Sequence, residues 1–158
     1  MSLKRLAIYR YFDVKILIII YVLNKCVKPF HVKRFLGQHK TLGNNGEKIA
    51  LRHYENNGCQ LLSQNSRTRN SELDLIFKKD DTILFVEVKT LEIGDNSNLL
   101  AEDNFTNSKK FHLKKGIEQY IFKEKPEFKN IQIDLACVYY HTEKGVWTIK
   151  LYENLILE

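Results

Sequence analysis

The sequence predicts an α/β protein, a mixed β-sheet flanked by helices and preceded by an N-terminal helical extension. The main reason is the element order after the extension, which is helix, three strands, helix and two strands. A length of 158 residues fits one domain with a short additional segment. With 44% hydrophobic and 28% charged residues, the chain is too apolar to be wholly disordered. Seven glycines and two prolines exclude collagen-like and low-complexity classes.

The charge divides the chain near Thr41, just before the turn-forming run Gly43–Gly46. Residues 1–41 carry nine basic and one acidic side chain, a formal charge of +8. Residues 42–158 carry sixteen basic and eighteen acidic side chains, a formal charge of −2. The overall charge of +6 is therefore a property of the first segment. We predict an N-terminal extension, 1–41, and a folded domain, 42–158.

The extension contains the most apolar run of the chain, Ile16–Leu23. Eight residues are too few to cross a bilayer as a helix, which needs about 20. Three interpretations remain: a buried or surface-lying helix, a membrane-surface anchor or uncleaved signal within residues 4–36, and a start codon assigned too early. The three cysteines are scattered, and the five histidines have no metal-ligand spacing. The cysteine pattern favours a reducing, cytoplasmic location.

The elements of the domain follow from periodicity and turn residues. Ile49, Ala50 and Tyr54 recur at helical spacing, and Gly58 ends that helix. Pro126 ends the second helix, whose apolar positions include Leu113 and Ile117. The predicted helices are 43–57 and 111–123, the predicted strands are 59–63, 71–78, 83–90, 131–140 and 145–152, and residues 64–70 and 92–108 are predicted as loops.

Charged residues interrupt two strands that are otherwise apolar. In residues 83–90, Glu87 and Lys89 share a face with Phe85. Asp74 interrupts the preceding strand, where alternation also puts Leu73 and Leu75 on one face. If the two strands form a hairpin across residues 79–82, Asp74 and Glu87 lie at nearly equal distances from the turn. The pattern therefore predicts two carboxylates a few ångströms apart.

Two such carboxylates repel each other unless a cation lies between them. Mg²⁺ or Mn²⁺ prefers these oxygen ligands, and Lys89 would stabilise a developing negative charge. The set suits phosphodiester hydrolysis. The alternative is a purely structural ion pair of Glu87 with Lys89 or Asp74.

The motifs resemble those of the YraN-like bacterial proteins, uncharacterised protein family 0102. The matching stretches, over about residues 40–158, are Gly43-x-x-Gly46-Glu47-x-x-Ala50, Asn65-x-Arg67, Ser71-Glu72-Leu73-Asp74-Leu75-Ile76 and Phe85-Val86-Glu87-Val88-Lys89-Thr90. That family resembles the PD-(D/E)XK nucleases, especially the archaeal Holliday-junction resolvases. The resemblance implies a restriction-endonuclease-like fold and a metal-dependent endonuclease acting on DNA, including branched or damaged DNA.

The resemblance also implies roles for individual residues. Asp74 and Glu87 would be metal ligands, Glu47 would be the carboxylate of the first helix, and Lys89 would be the catalytic lysine. Glu72 is a further candidate acid of the same string. The implied cofactor is Mg²⁺ or Mn²⁺. The alternative function is a non-catalytic nucleic-acid-binding protein that keeps the nuclease-like fold.

Basic residues near these acids are the predicted phosphate contacts. They are Arg67 and Arg69 in a loop and Lys109, Lys110, Lys114 and Lys115 on the second helix. The expected partner is therefore nucleic acid, with DNA favoured over RNA because no RNA-binding signature is present. A homodimer and membrane contact through the extension are further partner predictions.

Overall fold

The computed structural model describes residues 28–30, 39–69, 71–94 and 99–157. Six strands form one sheet in the order β1-β6-β5-β4-β3-β2. The β4–β5 pair is parallel, and the other neighbouring pairs are antiparallel. The elements are β1 Lys28–Phe30, α1 His39–Asn56, β2 Gln60–Arg67, β3 Glu72–Lys79, β4 Thr82–Ile93, a 3-10 helix Ala101–Asn104, α2 Asn107–Glu124, β5 Asn130–His141 and β6 Val146–Tyr152.

This architecture confirms the predicted α/β class and is consistent with a restriction-endonuclease-like fold. The hairpin across residues 79–82 is confirmed, and both predicted helices are present with longer bounds. α1 begins at His39, and β1 pairs with β6 at the edge of the sheet. The apolar run Ile16–Leu23 lies outside the described residues, so the interpretations of the extension remain predictions. Within the described ranges, no helix is both long and apolar enough to span a membrane.

The sheet has an apolar core on each face. On one face α1 packs against Leu75, Phe77 and Val86. On the other face α2 and the 3-10 helix pack against Ile76, Phe85 and other residues. Thr106 caps the start of α2 by accepting a hydrogen bond from the Lys109 backbone, and the left-handed Lys125 ends the helix before Pro126.

Three sequence predictions about local structure are wrong. The loop predicted at 64–70 is strand through Arg67, because an exposed edge strand can be polar and lacks an apolar pattern. The loop predicted at 92–108 contains the 3-10 helix, which is held by the buried residues Ala101 and Phe105. Strict alternation in β3 also fails, since Leu73 packs on the α2 side while Leu75 packs on the α1 side.

Candidate active site

The candidate site lies where β3 and β4 separate. Their pairing runs from Lys79 opposite Thr82 to Leu75 opposite Val86. Beyond this point β3 stays paired with β2, with Arg67 opposite Glu72. The backbone N–H of Val88 donates to Asp74 Oδ2 at 2.8 Å. The Asp74 side chain therefore bridges the two strands just beyond their last backbone pair. Continuing the register by one residue places Asp74 opposite Glu87.

The Asp74 carboxyl has unusual electrostatic surroundings. Burial and the negative charge of Glu87 raise its pKa to about 7, and the charge of Glu47 adds to the rise. The hydrogen bond from Val88 and the charge of Lys89 oppose this shift. An ionised Asp74 therefore needs more positive charge than its surroundings supply.

Glu87 and Lys89 lie on the same face of β4, as predicted, and contact each other directly. The ammonium of Lys89 donates to Glu87 Oε1. The side chain of Glu87 is only 13% exposed and that of Lys89 only 17%. This contact is the structural ion pair of Glu87 with Lys89 that the sequence left open. Phe85, two residues earlier, belongs to the core beneath α2, so β4 positions the charged pair at the end of that core.

Glu47 approaches the same region from α1. Its Oε2 accepts hydrogen bonds from Gln64 Nε2 at 3.3 Å and from Asn65 Nδ2 at 3.1 Å. The preceding Gly46 explains how the helix comes so close to β4. A methyl group there would lie 1.9 Å from Thr90 Oγ1, so only glycine permits this approach. Sequence reasoning missed the role of Gln64 because it assigned that residue to a loop.

The remaining predicted site residues are more exposed. Glu72 lies 3.7 Å from Arg67 in an exposed ion pair, with side-chain exposures of 46% and 84%. Arg69 is also exposed, and its backbone N–H donates to Gln119 Oε1 of α2 at 3.0 Å. The two arginines therefore lie beside the separation of β3 and β4, on the β2 side.

The lysines of α2 have separate neighbours. Lys110 Nζ lies 5.9 Å from the centre of the Phe105 ring, and Lys114 Nζ donates to the Leu157 carbonyl at 3.3 Å. Lys115 pairs with Glu118 at 2.8 Å. Lys109 is exposed in the first turn. These contacts direct three of the four lysines to different neighbours, and they do not gather the lysines into one cluster.

A second charged cluster, which sequence reasoning missed, lies on the same face of the sheet. We call it the Glu102 cluster; its members are Glu102, Tyr139, Lys150 and Tyr152. Glu102 Oε1 accepts from Lys150 Nζ at 2.7 Å, and the Glu102 carboxylate also accepts from both tyrosine hydroxyls. Burial alone would raise the pKa of the Glu102 carboxyl, but these three donors lower it to about 2. Cys137 lies between the two regions, because it is opposite Lys89 on β4 and opposite Lys150 on β6.

The chemistry of the first cluster fits a hard divalent ion. Asp74, Glu87 and Glu47 offer oxygen ligands, and the raised pKa of Asp74 reflects its burial together with neighbouring negative charge that a cation would neutralise. In residues 28–30, 39–69, 71–94 and 99–157, no group of three or more His, Cys, Asp or Glu side chains is arranged so that it could hold a metal ion. Mg²⁺ does not require one, because it is usually held by one or two carboxylates together with water and substrate phosphates.

Fold and site together define an α/β protein of restriction-endonuclease-like architecture with carboxylates and a lysine at the separation of two central strands. The chain belongs to the uncharacterised protein family UPF0102, whose family profile matches residues 46–138. This confirms the predicted YraN-like family.

Several UPF0102 proteins resemble the chain over most of their length. One from Caldicellulosiruptor saccharolyticus is 33% identical over 118 residues, covering 73% of this chain and 96% of the relative. One from Pelotomaculum thermopropionicum is 33% identical, covering 73% and 94%. One from Campylobacter lari is 34% identical, covering 72% and 91%.

Proposed function

We propose that this protein is a metal-dependent nucleic-acid phosphodiester hydrolase, an endonuclease acting on DNA that includes branched or damaged forms. The observation that carries the proposal is the meeting of Asp74 and Glu87 where β3 and β4 separate, with the pKa of Asp74 raised to about 7. Perturbed carboxyls beside a cation are typical of catalytic sites. We assign the activity to the domain 42–158, in a reducing, cytoplasmic setting.

Each charged residue has a task in this reaction. Asp74 and Glu87, supported by Glu47, would hold Mg²⁺ or Mn²⁺, which polarises a phosphate oxygen and lowers the pKa of a water molecule. Lys89 would leave Glu87 to stabilise the negative charge that develops on the phosphate. The attacking water would give its proton to solvent as its oxygen bonds to phosphorus, and the leaving oxygen would take a proton from solvent as its bond to phosphorus breaks. Arg67 and Arg69 would contact flanking phosphates.

Gln64 and Asn65 have a positioning task. Their amides hold one oxygen of Glu47 on the side facing β2. These hydrogen bonds also orient the other oxygen of Glu47, because the carboxylate is planar and its side chain is restrained. Supporting hydrogen bonds of this kind commonly orient metal-ligating carboxylates.

The test is a cleavage panel with single-stranded, duplex, flap and four-way-junction DNA in Mg²⁺ or Mn²⁺. We expect wild-type protein to cut at least one of these substrates. Lys89→Ala and Glu87→Gln should reduce the rate by roughly 100-fold or more, because each removes charge from the reacting centre. Asp80→Asn is the matched control, since Asp80 lies at the turn of the same hairpin and asparagine tolerates its left-handed backbone (φ 52°).

The second candidate is a non-catalytic nucleic-acid-binding protein. The direct Glu87–Lys89 ion pair favours it, because two buried charges that satisfy each other need no metal. Metal-independent binding that is unchanged in Asp74→Ala, without cleavage of any substrate, would support this candidate and contradict the first.

A further inference from the structure

A groove lies between the end of β2 and the last two turns of α2, with a volume of about 450 Å³. This size is within the range of small-ligand pockets, roughly 300–1,000 Å³. We call it the β2–α2 groove; it is lined by Ser66, Arg67, Thr68, Arg69, Glu118, Gln119, Tyr120, Phe122, Lys123 and Glu124. The hydrogen bond from the Arg69 backbone to Gln119 links its two walls.

The groove presents an exposed aromatic ring. Phe122 lines the groove and is 81% exposed, so most of its ring is accessible to a ligand. Tyr120 also lines the groove, and its ring meets Phe85 of the core edge to face, with 5.8 Å between the ring centres. One aromatic residue is therefore anchored in the core, while the other is available to a ligand.

The charges around the ring suit an anionic ligand. Arg67, Arg69 and Lys123 line the groove together with two carboxylates. Glu118 pairs with Lys115 at 2.8 Å and Glu124 pairs with Lys123 at 2.7 Å, so both acids have a basic neighbour. The two arginines lie on the opposite wall, where Arg67 forms an exposed ion pair with Glu72 and Arg69 is exposed. Cations next to an exposed aromatic ring are the combination by which proteins bind single-stranded nucleic acid.

The groove is close to the candidate active site. Arg67 is opposite Glu72 on β3, and Asp74 follows two residues later, a distance of roughly 7 Å along a strand. α2 also crosses close to this point, because a methyl group at Gly116 would lie 2.1 Å from Ser71 Oγ. The groove is thus within the length of one or two nucleotides of Asp74.

We propose that the β2–α2 groove binds an unpaired nucleotide next to the cleaved phosphate, with its base stacked on Phe122 and its phosphates contacted by Arg67 and Arg69. A base inside a duplex has both faces stacked on neighbours and cannot offer one to Phe122. The groove therefore selects substrates that contain a single-stranded nucleotide. This inference rests on the proposed function and names its substrate class.

The test measures binding of the full-length chain to a fluorescent single strand and to the matching duplex, in EDTA so that metal-dependent cleavage does not occur. We expect Phe122→Ala to weaken single-strand binding about 10-fold, because one stacking contact is lost, and to change duplex binding less than 2-fold. A 2-aminopurine base in the strand should be quenched by wild-type protein and much less by Phe122→Ala.

Phe111→Ala is the matched control, since Phe111 is a 56% exposed phenylalanine of the same helix that does not line the groove. It should bind both DNAs like wild type. Equal losses on both DNAs, unchanged single-strand binding in Phe122→Ala, or no single-strand binding by wild type would overturn the inference. So would a Phe122→Ala chain that changes its sedimentation but not its DNA binding, because the groove would then be a protein interface. Cleavage compared between wild type and Lys89→Ala tests the proposed function independently of these results.

Discussion

Asp74 and Glu102 are two carboxylates of one domain in opposite electrostatic surroundings. Glu102 is surrounded by donors from Lys150, Tyr139 and Tyr152, and its pKa is lowered to about 2. Asp74 is buried beside the carboxylates of Glu87 and Glu47, and its pKa is raised to about 7. Glu102 therefore stabilises the fold when it is charged, whereas the charged form of Asp74 destabilises the fold. A carboxyl retained in such surroundings is more typical of a functional site than of a structural one.

The largest expected effect comes from removing the charge of Asp74. Asp74→Asn should lower DNA cleavage roughly 100-fold or more, because a metal ligand is replaced by a neutral amide. Its free energy of unfolding should stay within about 1 kcal/mol of wild type or rise, since a charge among repelling carboxylates is lost and an oxygen remains to accept the Val88 hydrogen bond. Paired cleavage and urea-unfolding measurements check both halves. A large loss of stability would show that Asp74 has a structural role, and would remove the contrast with Glu102.

The next largest effect concerns Glu102. Glu102→Gln should lower the free energy of unfolding by roughly 1–3 kcal/mol at neutral pH, because hydrogen bonds to a charged carboxylate are replaced by weaker ones to a neutral amide. The folded-state pKa is depressed, so this stability is present above about pH 4.5 and is lost as the pH falls toward 2. The difference between wild type and variant should therefore shrink over that window in urea titrations.

Glu124→Gln is the matched control for Glu102→Gln. Glu124 forms an exposed ion pair with Lys123, and such pairs contribute about 0–1 kcal/mol. The control should unfold like wild type at every pH. A Glu102→Gln variant as stable as the control would mean that the cluster does not stabilise the fold.

The smallest effect separates the two tyrosines of the cluster. Tyr139→Phe should cost more stability than Tyr152→Phe, on the order of 1–2 against 1 kcal/mol. The Tyr139 hydroxyl also accepts a hydrogen bond from the Ala101 backbone at 3.2 Å, which would lose its partner. Double-mutant cycles with Glu102→Gln would measure the coupling of each hydroxyl to the carboxylate. Equal costs would show that the contact with Ala101 adds nothing.

The sequence predicted the Asp74–Glu87 region because a short turn fixes the register of a hairpin. Counting from residues 79–82 is then enough to bring two distant positions together. Glu102 was beyond such reasoning, since it lies in a polar segment interpreted as a loop and its partners come from strands 37 to 50 residues later. The contact of Gln64 with Glu47 was missed because an exposed edge strand has no apolar periodicity. The side of the sheet on which Leu73 packs depends on where β3 separates from β4, and no local sequence pattern encodes that point.

The parallel pairing of β4 with β5 has a consequence for folding. All twelve residues of β4 pair with β5, which follows α2 in the chain. Before β5 pairs with it, β4 is an open edge with a largely apolar sequence, and such edges pair with other chains. A fragment that ends at Glu124 would carry every residue of the candidate site and still be prone to aggregation. We therefore expect recovery of folded protein from refolding to fall as chain concentration rises, because association of this edge competes with the arrival of β5.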